Sequence, residues 1–264
     1  MNRLWLRQII AVARLEVVKN LLAWRAAPLY LLAAMPILVV GLLYVTMAFG
    51  NGPSELETAG GTALFFAYLY EFILRFVIYA GCVWIFMNLF RGEVLDRSLH
   101  YYFLSPIRRE ILVVGKFVSG WLTAVLLFVG STVVTMFLLY ANLMRGPELS
   151  HLASYVGVTL MACLGYGAVF LVIGLFFRNP IVPALLIWLW EQINPFLPVL
   201  LKKISVIFYL QSLLPMRIED GPFAVIADPV PAWLAVPGLL VFAGLVLIAA
   251  GMRIRRMEIA YGGD

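Results

Sequence analysis

The chain has 264 residues, 64% of them hydrophobic and 12% charged, with a formal net charge of +5. Soluble domains carry roughly 25% charged residues, so a chain this apolar could not clothe itself in a polar surface, and its composition places it in a membrane. The positive charge is then a question of sidedness, with no nucleic-acid partner expected.

The N-terminal segment MNRLWLRQIIAVARLEVVKNLLAWR spreads Arg3, Arg7, Arg14, Lys19 and Arg25 along its length. A secretory signal gathers its basic residues ahead of an unbroken apolar run, so no cleavable signal is expected. At about 100° per residue the four arginines share one helix face, and Leu4, Trp5, Ile9, Val12 and Leu15 lie opposite. Lys19 falls among the apolar residues and would snorkel. The pattern predicts an amphipathic helix over 1–26 in the cytoplasmic interface of the bilayer, with an N-terminal extension of the first span as the other reading.

A span needs about 20 apolar residues. Six runs qualify, at 28–49, 61–90, 111–141, 152–177, 181–201 and 232–252. With the N-terminus inside, fourteen Lys and Arg fall on the inner side, four fall outside, and Arg75 lies within a span. That bias puts both termini in the cytoplasm. The expected fold is one all-α integral membrane domain of six transmembrane helices.

Two runs carry internal charge or polarity. In YLYEFILRFVIYAG, Glu71 and Arg75 stand four apart, acid before base, which suits pairing along a helix. Charges in a span cost roughly 3 kcal/mol each on insertion scales, so they pair or face a polar cavity. A polar site on a translocation path or dimer seam and a self-neutralised pair both fit. In LLIWLWEQINPFLPVLL, Glu191, Gln192 and Asn194 accompany Pro195 and Pro198. Proline frees backbone carbonyls that polar side chains can satisfy, so a bend or break is expected, as a plain kink or as a gate or substrate contact. Segment 202–231 is broken by Pro215, Pro222, Pro229 and Pro231, and its ISVIFYLQSLLPM is too short to span. It reads as a re-entrant or interfacial helix on the outer face.

The densest charge lies in RGEVLDRSLHYYFLSPIRREILVVGK, residues 91–116, the largest inner loop. Glu93 and Arg97, and Asp96 and His100, have i, i+4 spacing. Tyr101, Tyr102 and Phe103 follow, then Ser105 and Pro106, a helix cap and a first-turn proline for the next span. A short charged helix over 91–106 with an aromatic tip is predicted, either as an interfacial elbow or as a docking element for a cytosolic partner.

Reaction chemistry is sparse. The sequence has no GxxxxGK[ST], no HExxH and no CxxC, and His100 and His151 fall on opposite sides of the membrane. Ser105 has no His–Asp pair beside it in sequence. Cys82 and Cys163 lie in apolar runs and read as small buried hydrophobes, not as a disulfide or metal pair. No catalytic residue, metal site or bound cofactor is expected in this chain.

Residues 92–117 resemble the membrane subunits of ABC-2 type ABC transporters. Leu104, Ser105, Pro106, Ile107, Arg108, Arg109, Gly115 and Lys116 carry the likeness, and the six-span plan and basic N-terminal helix extend it along most of the chain. DRSLHYY departs from the Gly-Thr-Leu type sequence of many members. The resemblance implies that the loop is a coupling helix, with Glu93, Asp96, Arg97, Leu99, His100, Tyr101, Tyr102, Phe103 and Leu104 against a separate ATP-binding cassette ATPase. It implies ATP and Mg on that partner, a second permease copy or related permease, an inner or plasma membrane location and export of an amphipathic or hydrophobic substrate. The outer segment is open to an accessory protein. The alternatives are an ion-gradient-driven secondary transporter using Glu71, Arg75 and Glu191, and a membrane enzyme or scaffold. An inverted repeat would favour the transporter, and none is visible.

Overall fold

The computed structural model describes residues 2–49, 59–95, 109–142, 149–177, 179–216, 218, 224–225 and 227–255. Among these the chain is helical and contains no strand. Helix α1 is Asn2–Leu22, α2 Ala27–Ala48, α3 Ala59–Phe72, and α4 Tyr79–Leu95. A π-helical turn, Ile73–Ile78, joins α3 to α4 without a break. Then come α5 Arg109–Asn142, α6 Leu149–Phe176, α7 Ile181–Ile193, α8 Val199–Lys202, α9 Val206–Ser212 and α10 Ala232–Arg255.

Five helical segments among the described residues are long and apolar enough to cross a membrane: Ala27–Ala48, Gly60–Leu89, Ile111–Ala141, His151–Phe176 and Ala232–Ile254. This is a multi-pass membrane protein. Run 181–201, one of the six expected spans, is not one helix and breaks where the sequence placed a bend or break. Helix α7 has 13 residues, about 20 Å at 1.5 Å per residue, short of a hydrocarbon core about 30 Å thick. It stops at a 3-10 turn over Asn194–Phe196, and Pro198 precedes the four-residue α8. The cause is local: Pro195 and Pro198 have no N–H to continue an i→i−4 ladder.

The core lies where α4, α5, α6 and α10 meet. In lipid no hydrophobic drive separates helices from solvent, so close backbone approach and internal hydrogen bonds hold them. Gly167 lets α6 close on α4, since a Cβ there would sit 2.4 Å from the Phe86 ring. Gly81 admits the Phe128 ring of α5, 1.9 Å from where a Cβ would be. Buried hydroxyls are satisfied within their own helices: Thr123, Thr132 and Thr159 each donate to the carbonyl four residues back. Ser131 reaches across from α5 to the Ala33 carbonyl of α2. Tyr70 donates to the Tyr155 carbonyl at 2.9 Å, joining the second and fourth spans.

Helix α1 has one face covered by the rest of the chain. It packs along the start of α5, with Val12 against Gly115 and with Ala13 and Glu16 buried. Its outer face is not purely basic: Arg14 is exposed beside Ile10, Leu15, Val18 and Leu22. Leu15, expected on the apolar docking side, is 59% exposed.

Candidate functional site

The acids Glu71 and Glu191 and the arginine Arg75 that the sequence singled out converge on one network, part-buried at Glu71 and Arg75 and buried at Glu191. Glu71, at the end of α3, and Arg75, inside the π turn, form the expected i, i+4 ion pair. Glu71 Oε1 also accepts from Gln211 Nε2 of α9 at 2.6 Å. Arg75 reaches α7, its guanidinium donating to the Glu191 carbonyl at 3.1 Å. That carbonyl needs such a donor, because the residue four further on is Pro195, which has no N–H. A side chain on a neighbouring span therefore repairs the gap made by the proline.

The Glu191 side chain has a different task. It is 4% exposed and its carboxylate caps the start of α9. It accepts from Ser205 Oγ at 2.6 Å, from the Val206 N–H at 3.1 Å and from the Ile207 N–H at 3.0 Å. Tyr166 of α6 approaches the same carboxylate with its hydroxyl at 3.5 Å. The first N–H groups of a helix have no intrahelical partner and carry partial positive charge, so a carboxylate there is stabilised twice. Ser205 precedes an apolar run in the way a self-capping serine does, yet its hydroxyl makes no cap of its own; it orients the acid instead.

Helix α9 has seven residues, too few to persist alone. It is held at one end by Glu191 and near the other by Glu71 through Gln211. Ser212 ties the next segment, accepting from the Val230 N–H at 3.3 Å. Lys202 is buried and donates to the Val225 carbonyl at 2.6 Å. Asn194 is also buried, but its amide donates to the Lys202 carbonyl at 3.4 Å and does not join the Glu191 network. Gln192 is half-buried and makes no hydrogen bond to the network.

A second buried ion pair lies at the roots of the charged loop. Lys116 is fully buried in α5 and donates to Glu16 Oε1 of α1 and to the Leu89 carbonyl of α4, both at 2.9 Å. One ammonium thus joins three elements. The sequence placed Lys116 with the loop charges and gave Glu16 no role; a lone acid within a basic helix was the only available signal. Between these roots, Glu93 lies in the last turn of α4. Asp96, Arg97, Leu99, His100, Tyr101, Tyr102, Phe103 and Leu104, with most of the predicted coupling helix, lie outside the described residues.

The hydrogen bonds of Arg75 and Glu191 position helices. Among the described residues no three of His, Cys, Asp and Glu gather as metal ligands. Cys82 and Cys163 are buried and unbridged. No protein-family model matches the chain, and no curated protein matches its sequence.

Proposed function

We propose that the chain is the membrane-spanning permease subunit of an ATP-driven ABC exporter, moving an amphipathic or hydrophobic substrate with energy from a separate ATPase subunit. The observation that carries this reading is the charged stretch GEVLDRSLHYYFLSPIRREILVVGKF, residues 92–117, between two spans. The joint beneath it adds support. Lys116 binds the end of α4, the start of α5 and the N-terminal helix into one unit, so a push on the loop would be carried by three elements together.

In this reading residues 91–106 dock on the ATPase, which holds ATP and Mg and performs the hydrolysis, and this chain catalyses nothing. Two permeases, identical or related, work with two ATPases in an inner or plasma membrane, and an accessory protein has access to the outer segment. The fifth crossing is discontinuous, built from α7 and α9 in series, so that six crossings keep both termini cytoplasmic. Discontinuous helices are tolerated within membranes where protein satisfies their ends, as Arg75 and Glu191 do here.

The ion-gradient alternative needs an acid free to exchange a cation or proton during transport. Glu71 and Glu191 both hold protein donors instead, which favours the structural role. The test is co-purification of the chain with its ATPase, comparing wild type with Glu93→Ala plus Arg97→Ala at equal membrane insertion. Capture by wild type and loss or uncoupling in the double variant is expected. Transport that follows an ion gradient, with no ATPase bound to either protein, would overturn the proposal.

A further inference from the structure

The second span contains a row of residues spaced by strict fours: Phe66, Tyr70, Leu74, Ile78, Cys82 and Phe86, each 1% exposed or less. In an undistorted α-helix four residues overshoot one turn by about 40°. The ends of this row would then face nearly opposite directions. The π turn Ile73–Ile78 winds more slowly, with i→i+5 bonds, and returns the row toward one side. It also sets the aim of the residues around it. Arg75, within the turn, donates to the Glu191 carbonyl, and Tyr79, just after it, donates to the Ala184 carbonyl at 2.7 Å. Helix α7 is therefore pinned to the second span at both ends, by one residue within the register step and one just after it.

We infer that this π turn is a movable step, and that its passage toward the N-terminal end of the second span, past Arg75 and Glu71, releases α7 and α9 at one end. Moving the turn converts i→i+4 bonds ahead of it into i→i+5 bonds and restores i→i+4 bonds behind it, so the backbone stays bonded. The residues it passes rotate by about 100°. Arg75 leaves the Glu191 carbonyl and Glu71 leaves Gln211, while Tyr79 keeps its hold on Ala184. Helix α7 then pivots about its first turn. The moving part is lightly seated: α7 buries only Ala184 and Glu191 and exposes Ile181, Val182, Leu185, Leu186, Leu189 and Ile193. Because Pro195 offers the Glu191 carbonyl no N–H, departure of Arg75 has a definite cost, which makes two discrete registers instead of a continuous slide. The device belongs to this chain alone and stands whichever energy source drives the protein.

Pulsed electron–electron distance measurements on the full chain in lipid nanodiscs test it. Spin labels go on Tyr68→Cys and Ile204→Cys, at positions 59% and 70% exposed, while the native Cys82 and Cys163 are fully buried. Arg75→Leu removes the tie and keeps the turn; it is expected to raise the share of a second distance about fivefold, the change produced by losing one net hydrogen bond. Deleting Phe76, which is 40% exposed, removes the extra residue and is expected to leave a single distance. An Arg75→Leu distribution superimposable on wild type overturns the inference, and so does a deletion variant that retains both distances. If the deletion variant does not insert, the Arg75→Leu comparison decides alone.

Discussion

Removing the Lys116 side chain should damage this protein more than removing Lys116 and Glu16 together. Lys116 is 0% exposed and Glu16 2% exposed. Their pair is therefore cut off from water, and the Leu89 carbonyl accepts from the same ammonium. Lys116→Met leaves a carboxylate buried without its counter-charge, a loss of about 3–5 kcal/mol. At roughly 2–4 °C per kcal/mol for a chain of this size, the unfolding midpoint should fall by about 10 °C. Glu16→Leu alone takes the carboxylate from a buried ammonium that keeps its bond to the Leu89 carbonyl and should also destabilise, by less. The double variant replaces both charges with apolar groups of similar volume, a change that is often neutral or stabilising. A double-mutant cycle on the purified protein, followed by tryptophan fluorescence during heating, should give a coupling of at least about 2 kcal/mol. Additive losses would refute the reasoning, because they would mean that the two side chains act separately.

Glu191→Gln should loosen α9 specifically. The carboxylate accepts from two of its first amides, and a carboxamide turns an N–H₂ toward at least one donor, at a cost of about 1–3 kcal/mol. Hydrogen exchange at Val206 and Ile207 should quicken about tenfold or more while the α6 core is unchanged. Gly167→Ala and Gly81→Ala should each destabilise by about 1–3 kcal/mol, since their new methyl groups would meet Phe86 and Phe128. Gly130→Ala has nothing within 4 Å of its new methyl and should stabilise by about 0.5–1 kcal/mol; thermal melts of the three side by side check both signs. Lys202→Met should free the Val225 carbonyl from its partner and speed proteolytic cleavage within residues 224–231.

Much of the membrane architecture was legible because it rests on hydropathy over long windows. The runs at 28–49, 61–90, 111–141, 152–177 and 232–252 correspond to helices long and apolar enough to cross. Run 181–201 passes the same hydropathy criterion, yet Pro195 and Pro198 act on single backbone bonds that an averaged window does not weigh. The polar residues beside them were the local signal of a break. Glu71 and Arg75 could be paired from spacing alone, since both lie on one helix. Their attachment to Gln211 and to the Glu191 carbonyl spans 140 and 116 residues, and no local pattern encodes contacts that distant. The π turn left no trace in the sequence, because nearly every position around Ile73–Ile78 is apolar and the buried row at strict fours emerges only from the packed structure. The role of Lys116 was no more legible. A Gly-Lys pair near a basic loop looks solvated until α1 is docked over Gly115 and supplies Glu16.

The proposed function requires residues 91–106 to touch an ATPase. The most direct measurement places a photo-crosslinking amino acid at Tyr102 in the full chain, irradiates intact membranes and identifies the captured protein by mass spectrometry. One dominant adduct with a phosphate-loop ATPase is expected, lost when the crosslinker is moved to an exposed position on the last span such as Leu245. Adducts with lipid alone at Tyr102, in membranes where the protein transports on an ion gradient, would contradict it.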